Sequence, residues 1–463
     1  MNEKNILNKY QILLFSFFVF IPILFLFQND YIISVIILSS VLFFFLLFLK
    51  IEIGLYLMAI FLPFIEPFFS FKSLELPIVD LISLFILLAF FVREFYLFLY
   101  NGKSLRSIKM PFGIYFFSFF FICLLSSFFS HDIISSLWYS FRWILFFYLA
   151  FVVLPYNLID SFKKLKKVIV LISILGFLGA VMGLVSLLVQ DWSDSFFRVT
   201  TLQVFGNWIF GSNYNLLAEF LIASSFVILS LKFWIKSLRG KRLVNVLCAF
   251  LLLMVFLSFG RTAWITMFLQ LSIYSIIYFS FIYEKKINRR VFILPFIALI
   301  FIALPFIVKM VSLQEANISS TQNRMLLTTI SIDALKDKPM LGYGSGNFVH
   351  LVSDNIRFVA KYGDPLDSHG FIQKVLAENG LLGFISFSLF LFMIFRYLYR
   401  GLVLHKEFYQ LLLPLTVAAF GSYFYQIFNT SYYKGRVWLF ISLALVAVYL
   451  VENYKKNKLN ERK

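Results

Sequence analysis

Residues 163–190, KKLKKVIVLISILGFLGAVMGLVSLLVQ, decide the fold because a lysine cluster is followed by a long uncharged apolar run. About 20 such residues cross the hydrocarbon of a bilayer, where the absence of water forces the backbone to pair internally as a helix. The whole chain is 61% hydrophobic and 14% charged, whereas a soluble domain is about a quarter charged. The strict alternation of barrel strands is missing from these runs. The sequence therefore predicts an all-α, polytopic transmembrane helix bundle.

Comparable apolar runs along the chain predict about 12–14 spans. The candidates lie at roughly residues 11–28, 31–49, 52–69, 76–100, 111–129, 133–155, 167–190, 213–232, 243–259, 262–283, 291–311, 379–397, 408–428 and 436–452. The third candidate is interrupted by Pro63 and Pro67. The first resembles a signal peptide, but its apolar part is long and no small-residue cleavage site follows, so we interpret it as an uncleaved span.

Positive charge orients the bundle, since lysine and arginine concentrate in cytoplasmic loops. Most of the 41 lysines and arginines fall in alternate loops and in the C-terminal tail, which predicts that both termini are cytoplasmic. The formal net charge of +18 is therefore interpreted as a topology signal. Nucleic-acid binding is the weaker interpretation, because the basic residues form short separate clusters and no domain-sized basic face.

Two outer loops are long, at residues 191–212 and 312–378. The predicted organisation is spans 1–11 within residues 1–311, a large helical extracytoplasmic loop at 312–378, and spans 12–14 with a basic tail at 379–463. A loop much longer than a connector usually carries function. We therefore expect the functional site in residues 312–378.

The stretch Gln322–Lys338 (QNRMLLTTISIDALKDK) predicts an amphipathic helix in this loop. Its apolar face would be formed by Leu327, Ile330 and Ala334. Arg324 falls in the first turn, where free N–H groups and a bidentate guanidinium favour a phosphate or diphosphate. The alternative is an arginine that reaches into the lipid headgroup layer.

The next stretch, Leu341–Phe348 (LGYGSGNF), is rich in glycine. Such a turn can bring backbone N–H groups against phosphate oxygens, but this one lacks the Lys-Ser/Thr ending of a P-loop. A tight turn between two helices is the simpler interpretation.

The stretch Asp364–Gly380 (DPLDSHGFIQKVLAENG) predicts a second helix that begins at about Ser368 and stops at its final glycine. His369 would then lie in the first turn, where the helix N-terminus and any nearby arginine favour the neutral imidazole that a general base requires. Asp364 and Asp367 act in the opposite direction. The alternative is an N-terminal-turn histidine with no chemical role.

Two further arginines interrupt apolar stretches. Arg261 lies in Leu257–Trp264 (LSFGRTAW), between two spans at the outer membrane surface, and Arg142 lies inside the sixth span. Arginine in such places is costly and tends to face a cavity or a partner. Both are candidates for substrate binding, and for Arg142 a structural ion pair is the alternative.

No metal or other cofactor is predicted. The two cysteines, Cys123 and Cys248, both lie inside apolar runs, so they form neither a disulfide framework nor a zinc site. The carboxylates of the large loop are scattered, and we interpret them as solubilising groups.

Three stretches occur in a fixed order: SFGRTAW at 258–264, NRMLL…DKPMLGYGSGNF at 323–348, and DSHGFIQKVLAENGLLGF at 367–384. They resemble the three blocks of the O-antigen ligase and O-antigen polymerase family of bacterial cell-envelope glycan enzymes. The segment Phe210–Leu221 (FGSNYNLLAEFL) is similar to a fourth, looser block, in which Asn215 and Ala218 match. The resemblance covers about residues 205–395.

The resemblance implies a metal-independent, GT-C-like glycosyltransferase of lipopolysaccharide biosynthesis in the bacterial cytoplasmic membrane. It would move a glycan from undecaprenyl diphosphate to a glycan or lipid A-core acceptor hydroxyl on the outer face. By position, His369 matches the family's loop histidine, and Arg261 and Arg324 match its two functional arginines. The chain departs from the pattern at Gly370, where asparagine is common, and at Thr262, where glycine is common.

Three functions follow as hypotheses. An O-antigen ligase attaches a finished polymer to the lipid A core, whereas a polymerase uses another lipid-linked repeat as acceptor, and the two share their chemistry and site. A transporter or flippase for lipid-linked sugars would show internal repeats and charged or broken helices near the midplane. The sequence contains no such repeat, which favours an enzyme.

Overall fold

The computed structural model describes residues 31–65, 67–71, 74–101, 108–190, 198–204, 206–282 and 314–461. Helices dominate these ranges, and the predicted all-α polytopic fold is confirmed. The chain divides into two compact units, Met1–Leu62 with Pro67–Lys109, and Pro63–Glu66 with Met110–Lys463.

The described residues of the first unit form three helices and a hairpin. Its elements are α1 (Tyr31–Leu49), α2 (Ile51–Ile60), β1 (Pro67–Phe71), β2 (Leu74–Pro77) and α3 (Ile78–Asn101). The paired segments Leu38–Leu49 and Ile51–Ile60 are bent by 114° at their junction, so together they form a broken span or a re-entrant loop. The strands β1 and β2 pair antiparallel, with Phe71 opposite Leu74.

The predicted span at 52–69 is wrong. Helix α2 ends at Ile60 after 10 residues, and Pro67 begins strand β1. A proline lacks a backbone N–H and pushes the preceding residue out of the helical region, so Pro63 and Pro67 prevent this apolar run from continuing as a helix.

The second unit holds the remaining helices. They are α4 (Gly113–Ser127), α5 (Ile133–Leu158), α6 (Phe162–Val189), α7 (Tyr214–Ser230), α8 (Leu238–Leu257), α9 (Arg261–Ile282), α10 (Gln314–Asp337), α11 (Phe348–Ser353), α12 (Ile356–Tyr362), α13 (Phe371–Leu404), α14 (Tyr409–Phe424) and α15 (Gly435–Asn460). A two-residue ladder joins β3 (Gln203–Val204) to β4 (Asn207–Trp208). Helix α5 contains π-helical turns at Ser140–Leu145 and Leu149–Val153, and a 3-10 turn at Tyr425–Phe428 extends α14.

Within the described ranges, nine helices are long and apolar enough to cross a bilayer, or ten if the bent pair counts as one span. Helix α4 is apolar but has only 15 residues. Apart from 52–69, each predicted span in the described part of the chain overlaps one helix. The candidates at 11–28 and 291–311 lie outside the described residues.

Helices α7, α14 and α15 are the most buried spans of the second unit. Small residues allow the close approaches around them, as is common between membrane helices. A Cβ at Gly176 of α6 would lie 2.7 Å from the Cβ of Ser224 on α7. Gln270 of α9 lies against Gly421 of α14 and donates from Nε2 to the carbonyl of Val417 at 2.9 Å. These contacts fix the helices whose ends carry the site.

Residues 327–377 pack around a small core of their own. Leu327, Ile330 and Ala334 form the buried face predicted for α10, and they pack with Phe348, Val352, Phe358 and Ala377. Helix α13 begins at Phe371, three residues later than predicted, and Gly380 breaks it with non-helical angles (φ 63, ψ −164). The predicted stop at Gly380 is therefore a break between two helical parts of α13. The first part, Phe371–Asn379, follows His369 in the chain, and the second part is a long apolar helix.

Candidate active site

Arg261 is the first residue of α9, at the end of a rigid turn. The indole of Trp264 stacks on Phe256 with centroids 5.2 Å apart, and its Nε1 donates to the carbonyl of Phe256 at 2.8 Å. Phe259 takes a left-handed conformation (φ 53), and Gly260 follows it. The aromatic residues of this stretch thus fix the conformation of the turn between α8 and α9, and Arg261 is exposed at the N-terminus of α9.

Asn215 lies directly against this turn. Asn213 caps α7 and accepts hydrogen bonds from the backbone N–H groups of Asn215 and Leu216. A Cβ at Gly260 would lie 3.2 Å from Oδ1 of Asn215, so the amide and the residue before Arg261 are neighbours. The hydroxyl of Tyr425 donates to the backbone carbonyl of Asn215 at 3.0 Å. The structure therefore joins the looser fourth block to the arginine turn.

Arg324 does not lie in the first turn of its helix, so that prediction is wrong. Helix α10 already includes Gln314, because the polar residues before Arg324 contain no helix-breaking glycine or proline. The guanidinium lies within electrostatic reach of Tyr425, the residue that holds Asn215. Its Nε is buried and has no hydrogen-bond partner among the described residues.

Across the described ranges, no carboxylate lies within ion-pair distance of Arg261 or Arg324. Near Arg324, Oδ1 of Asn323 and Oε1 of Gln373 are also buried without a partner in the described part of the chain. Buried polar atoms of this kind are uncommon in native proteins and call for an explanation. Two cations that no described carboxylate pairs with are suited to an anionic ligand, and the amide oxygens can accept hydrogen bonds from hydroxyl groups.

His369 precedes α13, and both of its neighbours are locked. Asp367 accepts a hydrogen bond from the backbone N–H of Ser368 at 2.8 Å, and the hydroxyl of Ser368 donates to the carbonyl of Gly370 at 3.1 Å. Lys374, one turn into α13, donates to both carboxylate oxygens of Asp367 at 2.8 and 2.7 Å. The side chain of the half-buried His369 therefore projects from a backbone that is held on each side.

The electrostatic setting of His369 favours the neutral ring. Burial lowers the pKa of His369 below its ordinary value, the guanidinium of Arg324 lowers this pKa further, and Asp367 raises it. The structure thus brings Arg324 and His369 together, and it confirms the opposing effect of Asp367 expected from the sequence. An imidazole that stays neutral at pH 7 can accept a proton.

Arg142 is positioned through aromatic rings. Its guanidinium lies 4.1 Å from the centroid of Trp143, within the π-helical turn of α5. The ring of Trp143 contacts Tyr433 at 5.0 Å, and Tyr433 lies 5.8 Å from Nζ of Lys374. These contacts connect Arg142 to Lys374 through two aromatic rings, and its role in substrate binding stays a prediction.

The glycine-rich turn is structural. The N–H groups of Tyr343 and Gly344 donate to the carbonyls of Ala377 and Glu378 at 3.0 and 2.8 Å, and the N–H of Phe348 donates to the Glu378 carboxylate at 3.1 Å. These amides are used, so a phosphate cradle is the wrong interpretation and the tight turn is the correct one. The turn holds the break at the end of the first part of α13.

Two buried charge networks were missed in the sequence. Lys374 is 3% exposed and lies 3.7 Å from Glu378 as well as bonding Asp367. Glu219 of α7, also 3% exposed, pairs with Arg436 of α15 at 2.5 Å. Charged residues inside apolar helices were the available signal, since such groups are costly unless paired.

The second network supports the turn that faces His369. Gln426 donates from Nε2 to Glu219 at 2.8 Å, and Asn429 donates from Nδ2 at 3.4 Å. Between them, the carbonyl oxygen of Ile427 lies only 2.3 Å from the place where a Cβ on Gly370 would stand. The departure from the family pattern at Gly370 therefore has a steric reason.

We expect Gly370→Ala to lower activity at least about tenfold, because a displacement of about 1 Å at a positioned catalytic group can cost 10²-fold. The new methyl would push the His369 backbone away from Ile427. The measurement is the rate at which purified protein carries out the glycan transfer implied by the resemblance. Gly113→Ala is the control, since the nearest atoms to a Cβ at Gly113 are side-chain atoms at 3.2 Å or more. Equal rates for both variants would contradict the steric argument.

The arrangement has the parts of a group-transfer site: a neutral base, and cations that can stabilise developing negative charge. Within the described ranges, no group of three or more histidine, cysteine or acidic side chains is placed to hold a metal ion. Arg324 and His369 lie within electrostatic reach of each other, and Tyr425 and Asn215 connect Arg324 to the turn that carries Arg261.

Comparison with protein-family models gives a match that covers the candidate site. A protein-family model described as O-antigen ligase matches residues 246–388, a range that contains Arg261, Arg324 and His369. No curated protein matches the chain.

Proposed function

We propose that this chain is a glycosyltransferase of the O-antigen ligase family, because residues 246–388 match the family model of that description. The enzyme moves a glycan from an undecaprenyl-diphosphate donor to an acceptor hydroxyl, without a metal ion, on the outer face of the cytoplasmic membrane. Both termini are cytoplasmic in this proposal. The observation that supports it best is that the half-buried His369 lies within electrostatic reach of Arg324, a cation that pairs with no carboxylate among the described residues.

The chemistry follows from these groups. His369 takes the proton of the acceptor hydroxyl, whose oxygen forms a bond to the anomeric carbon of the glycan. The bond between that carbon and the diphosphate oxygen breaks, and the electron pair leaves with the diphosphate. Arg324 and Arg261 stabilise the charge that develops there, which is often the largest contribution to catalysis. Their guanidinium groups can each bind phosphate oxygens in a bidentate manner.

A deletion strain tests this function. We expect loss of the chain to remove the polymer from the envelope glycan, as seen on a gel, and the wild-type chain to restore it. Lipid-linked polymer that accumulates in the deletion strain indicates a ligase, whereas single repeats on the core indicate a polymerase. An unchanged glycan profile with unchanged lipid-linked intermediates would contradict the proposal.

The two roles of Arg324 can be separated by charge and shape. Arg324→Gln removes the positive charge that lowers the pKa of His369, so we expect the acid limb of the pH–rate profile to move to higher pH. Arg324→Lys keeps the charge and should keep the acid limb in place, yet we expect it to stay impaired because an ammonium lacks the bidentate fork. The measurement is kcat/KM against pH. A Lys variant with full activity would contradict a direct role in phosphate binding.

A further inference from the structure

The chain that follows α6 is anchored at four points around Arg198. The N–H of Arg198 donates to Oε1 of Gln190 at 3.3 Å, and the N–H of Thr200 donates to the hydroxyl of Ser186 at 3.0 Å. Val199 between them is fully buried, and a Cβ on Gly183 would lie 2.7 Å from it. This part of the 191–212 loop is therefore fixed to the end of α6.

The fourth anchor ties the residue after Arg198 to the chain just before the arginine turn. The N–H of Val199 donates to the carbonyl of Leu257 at 2.9 Å, four residues before Arg261. On the other side, the guanidinium of Arg198 lies 3.7 Å from the ring centroid of Tyr214, the residue that precedes Asn215. A cation held over an aromatic face is fixed in orientation. Arg198, Asn215 and the Gly260–Arg261 turn thus form one neighbourhood.

We propose that Arg198 is a third cation of the diphosphate subsite, positioned by the Tyr214 ring and assigned to the leaving group. This proposal rests on the proposed function. A diphosphate that joins a lipid to a glycan carries about two negative charges, which Arg261 and Arg324 can balance. When the glycosidic bond breaks, its terminal phosphate gains up to about one more charge, because the second pKa of a phosphate monoester is near 6. Arg198 meets that additional charge.

The chemistry that Arg198 recognises is a phosphate group at the membrane surface. A glycerophospholipid headgroup offers the same chemistry, but it carries one phosphate and develops no charge during the reaction. The proposal commits to the diphosphate, since Val199, the residue after Arg198, is anchored to Leu257 just before the Arg261 turn. Competition distinguishes the two sources. Added undecaprenyl diphosphate would occupy a diphosphate subsite, whereas added anionic lipid would occupy a headgroup site.

The test compares Arg198→Ala with Arg357→Ala, which removes an exposed arginine of α12 and is matched in charge. In lipid nanodiscs, we expect Arg198→Ala to weaken binding of undecaprenyl diphosphate about tenfold and binding of undecaprenyl monophosphate less than about threefold. We also expect transfer to slow about 10- to 100-fold, less than the full effect of a buried oxyanion donor because Arg198 is half-buried. Arg357→Ala should change neither quantity.

The Tyr214 ring supplies a second variant. Tyr214→Phe keeps the aromatic face and should behave as wild type, whereas Tyr214→Leu should reproduce part of the Arg198→Ala loss. If Arg198→Ala leaves diphosphate binding unchanged but removes the dependence on phosphatidylglycerol content, the residue binds headgroups and the proposal is overturned. Loss of transfer in Arg261 and Arg324 variants with a normal Arg198→Ala variant also overturns it, without affecting the proposed function. Absence of transfer in the wild type would instead contradict the proposed function, while the binding comparison still decides the role of Arg198.

Discussion

Replacing His369 with alanine is expected to slow glycan transfer about 10²–10⁴-fold, the usual contribution of a positioned general base. The pKa of His369 is lowered by burial and by Arg324, so the ring is neutral at pH 7 and available for the acceptor proton. The measurement is single-turnover transfer by purified variants. Binding of undecaprenyl diphosphate should change little, because the base acts on the acceptor and the arginines hold the donor.

His350→Ala is the matched control, since His350 is an exposed histidine of α11 in the same segment. It should transfer glycan at the wild-type rate and restore the envelope glycan in a deletion strain. If His369→Ala also restores wild-type glycan, another group removes the proton and the assignment of His369 is wrong.

Lys374→Met is expected to have the largest effect on stability, about 3–5 kcal/mol, which is the usual cost of removing one partner of a buried ion pair. Lys374 is 3% exposed and lies between the carboxylates of Asp367 and Glu378, and Glu378 is itself 0% exposed. Without the ammonium, two carboxylates face each other near the break in α13. The measurement is thermal unfolding in detergent. Adding Glu378→Gln to Lys374→Met should recover part of the loss, because it removes the more deeply buried charge.

Lys336→Met provides the comparison. Lys336 pairs with Asp333 at 3.5 Å, but both side chains are well exposed, at 73% and 64%. Exposed pairs contribute about 0–1 kcal/mol, so this variant should unfold close to the wild-type temperature. A similar loss in both lysine variants would show that burial does not determine the effect of Lys374.

The apolar runs were sufficient to predict most of the bundle, because the bilayer requirement acts on each span separately. The position of Arg261 was also visible, since a charged residue between two apolar runs marks a connection. The start of α10 was not visible. Residues Gln314–Ser320 have no apolar periodicity and no stop signal, and packing of the later face at Leu327 determines that the helix forms.

The partners of the buried charges could not be predicted. Glu219 and Arg436 are 217 residues apart, and nothing in either local sequence names the other. The same holds for the contact between Gly370 and the carbonyl of Ile427, which depends on how the end of α14 approaches the start of α13. Arg324 and His369 were identified from their places in the large loop and from the resemblance, but the electrostatic effect of one on the other depends on the packed structure.

The break at Gly380 has a consequence for distance. Phe371–Asn379 is a helical segment that rises about 1.5 Å per residue, so it sets the start of α13 about 14 Å from the break. The glycine-rich turn is hydrogen-bonded to Ala377 and Glu378 beside the break, so this segment sets a fixed distance between the break and the start of α13. Deleting a single residue from this segment would shorten that distance by about 1.5 Å and rotate the start of α13 by about 100° about the helix axis. The imidazole would then point to a different side of the molecule.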